Sequence, residues 1–205
     1  MLKYTLIIFC LLLISPCFSQ VKGEREFQEC ELIFKDSTSF EGLCRITKKE
    51  KIEFKMEGDS IVDVWDHKDV KSVRFFRSNY DQILEYWSLR KNKNPYLLEI
   101  LREGEAILYA RKTFRMFAKS KKHPAEGGYG VKFGKKEVII GYFLKKKNET
   151  QLTTIKLSWS YKTWKKRIKE FFKDCPYLVE NLENDGYDKK YIKELVQDYN
   201  VYCFD

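Results

Sequence analysis

From residue 27 to residue 76, apolar and polar side chains alternate in short runs, at 27–35, 39–47, 51–56, 61–65 and 70–76. Period-two alternation over such lengths predicts half-buried strands. Asp36-Ser37-Thr38 and Gly58-Asp59 supply hairpin turns, and a half-turn over 66–69 precedes the fifth run. The pattern predicts a small SH3-like β-barrel within residues 20–77. Residues 78–95 read as a helix or linker. Ser78 would cap it, Ile83, Leu84, Tyr86 and Trp87 would form its apolar face, and Asn94-Pro95 would end it.

A second strand-like set follows at 96–102, 105–117, 129–133, 137–144 and 151–157, predicting an antiparallel sheet over 96–158. Glu103-Gly104, Gly134-Lys135 and 145–150 read as turns, and 119–128 as an exposed loop. Residues 159–205 change period. Tyr161, Trp164, Ile168, Phe171, Phe172 and Cys175 form a helical apolar stripe. Pro176 suits the first turn of a second helix, and Asp188 the N-cap of a third. The predicted class is α+β: an N-terminal barrel, a second antiparallel sheet, and C-terminal helices packing on it.

The start of the chain has its own pattern. Lys3, the unbroken apolar stretch 6–14, Ser15-Pro16 and Cys17-Phe18-Ser19 match the three regions of a secretory signal peptide, placed at 1–19. Its apolar stretch rises only about 14 Å as a helix, short of a hydrocarbon core of about 30 Å. No membrane span is expected once the leader is removed. Lipidation at Cys17 is a competing fate, disfavoured by the preceding proline.

Removal of the leader leaves Cys30, Cys44, Cys175 and Cys203. An even number in an exported chain points to disulfides. A first hairpin centred on Ser37 sets Cys30 directly opposite Cys44, within bonding reach. Cys175 and Cys203, flanking the last helices, then pair by elimination, an arrangement stabilising by about 3–4 kcal/mol in the chain-entropy model. Metal or redox roles lack support, because there is no CxxC and the only histidines are His67 and His123.

Phe18-Ser19-Gln20, Leu32-x-Phe34-Lys35-Asp36 with Gly42, Asp174-Cys175-Pro176-x-Leu178 and Tyr199-Asn200-x-x-Cys203 together resemble exported Bacteroidota proteins of uncharacterised function. The resemblance implies an envelope or extracellular location and a β-then-helical layout, and no mechanism. It departs at Ser37, where a glycine turn is common.

Charge adds the functional signal. The 205 residues carry a net +9, unevenly distributed. Residues 20–110 hold 16 basic and 18 acidic side chains, 111–173 hold 19 and 4, and 174–205 hold 3 and 8. A strongly basic block inside a near-neutral protein attracts anions. The candidate anion-binding surface is Arg111, Lys112, Arg115, Lys121, Lys122, Lys135, Lys136, Lys145, Lys146, Lys147, Lys162, Lys166 and Lys169. The plainer alternative is a solvated lysine surface onto which the acidic tail folds back.

No GxSxG, HExxH, P-loop or GxGxxG occurs. The expectation is an exported, non-enzymatic binding or scaffold protein that is periplasmic, outer-envelope-associated or extracellular. Its partners would be anionic lipid headgroups, polysaccharide or an acidic protein, with nucleic acid disfavoured by export and no cofactor or metal required. The competing reading is a hydrolase acting on envelope polymers through paired carboxylates.

Overall fold

A computed structural model describes residues 26–89, 94–122 and 129–204, with the side chains of 114–137 outside that description. The predicted leader, Cys10, Cys17 and His123 lie outside the described residues.

Ten antiparallel strands form one open sheet. They are β1 (Gln28–Phe34), β2 (Ser39–Ile46), β3 (Ile52–Lys55), β4 (Asp63–Trp65), β5 (Val70–Phe76), β6 (Asp81–Trp87), β7 (Tyr96–Arg102), β8 (Ala106–Lys122), β9 (Tyr129–Lys146) and β10 (Thr153–Ile155). Their spatial order is β10-β9-β8-β7-β6-β5-β1-β2-β3-β4. The predicted SH3-like barrel is therefore not formed. The five N-terminal strands occur as expected, but β1 takes one edge of β5 and β6 takes the other, leaving β5 no edge for β4 to close on.

That strand β6 replaces the predicted helix or linker. Its side chains alternate between two partners: Leu84 and Tyr86 pack with the N-terminal core, while Trp87 packs with Tyr109 and Leu98 on the other face. Partial burial on both faces of a strand hides the period-two signal, so the sequence pattern reads as helical.

The first hairpin differs from its predicted register by two residues. Cys30 stands opposite Gly42, and Gln28 opposite Cys44. Phe34 N–H donates to Thr38 O at 2.8 Å and Ser37 N–H to Phe34 O at 3.1 Å, closing a three-residue loop. Ser37 adopts φ 71°, the left-handed position glycine would fill. A shift of two leaves every side chain on its face, so Cys30 and Cys44 still meet, diagonally, with Cα atoms 5.8 Å apart. Gly42 is required at the crossing, because a Cβ there would lie 2.8 Å from the Phe54 ring.

β9 runs through the predicted Gly134-Lys135 turn. The register shifts between Met116 and Ala118, with Gly134 and Lys135 opposite Phe117, so the glycine marks a bulge. Residues 119–122, expected in a loop, complete β8.

Three helices cover the β7–β10 end. Ser160 caps α1 (Tyr161–Phe171), accepting from Thr163 N–H at 3.2 Å. Pro176 opens α2 (Pro176–Glu183), and a 3-10 turn, Lys189–Tyr191, capped by Asp188, leads into α3 (Ile192–Tyr202). Trp164, Ile168, Phe172, Leu178, Leu182, Leu195 and Tyr199 bury fully against Leu108, Ala110, Tyr142 and Leu144 of the sheet. Cys175 and Cys203 stand at disulfide distance, Cα atoms 5.8 Å apart, joining the start of α2 to the end of α3. Among the described residues no helix is long and apolar enough to cross a membrane.

Candidate anion-binding surface

Helix α1 is built by its apolar stripe. Trp164, Ile168 and Phe172 point into the core, which forces its cations outward. Lys162, Lys166 and Arg167 are exposed and make no ion pair among the described residues. Lys162, Lys165, Lys166, Lys169 and Lys173 line a shallow groove of about 490 Å³ with Glu170 and Val179.

The acidic tail does fold back on part of this face. Lys165 Nζ lies 2.7 Å from Asp185 Oδ1 and also donates to Glu183 O at 3.0 Å, while Lys169 pairs with Glu183. The Asp185 hydrogen bond raises the Lys165 pKa against the opposing effect of desolvation, and Lys169 and Lys165 hold Glu183 and Asp185 below the usual carboxylate range. These pairs are exposed and contribute little to stability. They leave the outer edge of α1, with Lys162, Lys166 and Arg167, as the uncompensated part.

The remaining predicted cations separate into distinct settings. Arg111 lies 3.6 Å from the Tyr96 ring centroid and 3.1 Å from Glu50 Oε1. Lys112 reaches Glu99 at 3.3 Å. Lys145 is 7% exposed and donates to the carbonyls of Lys146, Lys147 and Glu149 at 3.0–3.1 Å. Its donors are thus committed to holding the β9–β10 turn. Lys147 is exposed on that turn. Arg115, Lys121, Lys122, Lys135 and Lys136 lie on the β8–β9 ribbon, with side chains outside the described part.

Lys146 occupies a different kind of site. Its Nζ lies 2.9 and 2.8 Å from the two oxygens of Asp174 and also donates to the Tyr199 hydroxyl, which itself donates to Asp174 Oδ2 at 2.7 Å. The ammonium also sits 3.9 Å from the Tyr199 ring centroid and 5.1 Å from that of Phe171. This cluster floors a cleft of about 550 Å³ rimmed by Glu105, Glu149, Arg167, Glu170 and Phe204. Burial opposes ionisation of Asp174, but the Lys146 and Tyr199 hydrogen bonds outweigh it and hold the carboxyl below its ordinary value. Burial and the adjacent Asp174 push the Tyr199 hydroxyl upward. Asp174 is therefore kept as a carboxylate and Tyr199 as a neutral donor.

Asp174, Tyr199, Arg167 and Phe204 were not singled out by charge counting. The available signal was adjacency to cysteine: Asp174 precedes Cys175, and Tyr199 lies one helical turn before Cys203, so pairing those cysteines brings the two side chains together.

His67 sits in the turn before β5, its Nδ1 3.9 Å from Asp66 Oδ1 and its ring 6.1 Å from that of Tyr86. No cluster of three metal-ligating side chains occurs among the described residues. No protein-family model, curated protein or solved structure matches the chain.

Proposed function

We propose that this is an exported, non-enzymatic binding or scaffold protein of the cell envelope that uses the outer edge of α1 to engage anionic partners. One observation carries the reading: four lysines of α1 and Lys173 just beyond it line one groove, and ion pairs with Asp185, Glu183 and Glu170 engage three of the five, leaving Lys162 and Lys166 unpaired among the described residues. A coherent field of that kind concentrates anions near the groove, and salt would weaken it over about 8 Å. The two cysteine pairs at bonding distance fit an oxidising compartment. The leader pattern and the resemblance to exported Bacteroidota proteins support the same location.

The hydrolase reading needs a carboxyl group held protonated as general acid. Asp174, which lines the cleft of about 550 Å³, is displaced in the opposite direction and does not supply one. The binding reading is therefore preferred.

The test is a salt titration of binding to dextran sulfate. The parent protein is expected to bind at low ionic strength and release as salt rises. Lys162→Glu with Lys166→Glu should weaken binding about tenfold, as reversal of two local charges implies. Binding indifferent to salt or to these substitutions would remove α1 as the contact surface.

A further inference from the structure

The cleft floored by Lys146 shares Glu170 and Lys173 with the α1 groove but is walled mainly from elsewhere. Arg167, Glu170 and Phe171 stand three and four residues apart, so α1 turns them to one side. The β9–β10 turn adds Asn148 and Glu149, and Thr153 of β10 follows. Phe204 directly follows Cys203, whose approach to Cys175 holds the ring at the same cleft as Asp174.

These walls are set before any ligand arrives. Lys145 ties the β9–β10 turn through three carbonyls, while Lys146, Asp174 and Tyr199 satisfy one another at the floor. A site already ordered spends little of its binding energy on ordering. Glu105, Asn148, Thr153 and Arg167, by contrast, have no side-chain hydrogen bond or ion pair among the described residues. A carboxylate, an amide, a hydroxyl and a guanidinium are therefore all open to an occupant. Ring surface is open with them, because Phe204 is 50% exposed and Phe171 half-buried.

We propose that this cleft binds a neutral oligosaccharide. Sugar hydroxyls, each both donor and acceptor, meet Glu105, Asn148, Thr153 and Arg167, and the C–H face of one ring stacks on Phe204. The volume of about 550 Å³ lies within the roughly 300–1,000 Å³ of small-ligand clefts. Other ligand classes use only part of the lining. A small anion drawn to Arg167 is opposed by Glu105 and Glu149, and a small cation meets the reverse. An acyl chain would strip water from Lys146 and Asp174 and return no hydrogen bond. A ligand that is uncharged, rich in hydroxyls and apolar on its ring faces engages every group offered. This inference goes beyond the α1 reading and does not depend on it.

Isothermal titration calorimetry with maltotriose, cellotriose, mannotriose and triacetylchitotriose tests it, in about 0.5 M sodium chloride to screen the α1 field. At least one trisaccharide is expected to bind with a Kd on the order of 1 mM or tighter. Phe204→Leu keeps apolar bulk but removes the ring, and should weaken that binding about tenfold. Asn148→Ala should weaken it about threefold through a lost hydrogen bond. Both side chains are exposed, so each variant is expected to keep the parent melting point and its low-salt binding of dextran sulfate. Failure of all four sugars to bind would overturn the proposal, and so would an affinity unchanged in both variants. A protein that binds dextran sulfate but no trisaccharide would refute the cleft alone, whereas the reverse result would refute the α1 surface and leave the cleft standing.

Discussion

Asn200 on α3 takes the place of a missing strand, and its removal has a calculable effect. Its Oδ1 accepts from Ala106 N–H at 2.8 Å, and its Nδ2 donates to Ala106 O at 2.9 Å and Glu103 O at 3.2 Å. Ala106 is fully buried at the start of β8, with β7 pairing only from Leu108 onward. One side-chain amide therefore meets both main-chain groups as a neighbouring strand would. Asn200→Ala removes three hydrogen bonds, each worth about 1 kcal/mol net, and strands a buried donor, so a loss of about 3 kcal/mol is expected. At this chain length that corresponds to a melting point lower by about 6–12 °C. Asn200→Asp should be no better, because it turns a donor into an acceptor facing two carbonyls.

Gly104 provides the internal check. A Cβ at this position would lie 2.4 Å from Asn200 Cγ, and its φ of 151° disfavours a side chain in any case. Gly104→Ala should therefore destabilise the parent, and less so in the Asn200→Ala background, a coupling of about 1 kcal/mol. Urea unfolding followed by tryptophan fluorescence, with the cysteine pairs intact, measures all four proteins. Asn200→Ala within about 0.5 kcal/mol of the parent, or strict additivity with Gly104→Ala, would refute the amide as a strand substitute.

Ser37→Gly should raise stability by about 0.5–1 kcal/mol in the same unfolding assay, since Ser37 holds a left-handed conformation. Asp174→Asn should cost about 1–2 kcal/mol at neutral pH, a figure discounted because its side chain is 46% exposed. Because the folded state holds Asp174 below its ordinary pKa, its stabilisation is complete above the unfolded value near ~4 and fades as pH falls through the lower folded value. An acid titration of the Asn variant should lack that component. Mass spectrometry under non-reducing conditions should find Cys30 joined to Cys44 and Cys175 to Cys203, and four free thiols would end that assignment. Replacing Cys175 and Cys203 by serine should cost about 3–4 kcal/mol and loosen the Lys146–Asp174–Tyr199 cluster beside them.

Local information determined a large part of this protein. Alternation placed β1 to β5 and most of β7 to β10, the apolar spacing from Tyr161 to Phe172 placed α1, and the cysteine count with the hairpin pattern selected the two pairs that stand at bonding distance. These features depend on period and adjacency, which the chain carries in linear form. Tertiary structure decided the rest. Whether five strands close into a barrel depended on which strand took the free edge of β5, and β6 took it, with side chains half-buried on two faces and no legible period. The fate of the lysines was equally non-local. Lys145 turned inward to three carbonyls, Lys146 met Asp174 and Tyr199, Lys165 and Lys169 met the acidic tail, and the outer edge of α1 stayed open. Charge adds along a sequence, but a field adds in space, so only the packing of α1, α2 and α3 could decide which cations were cancelled.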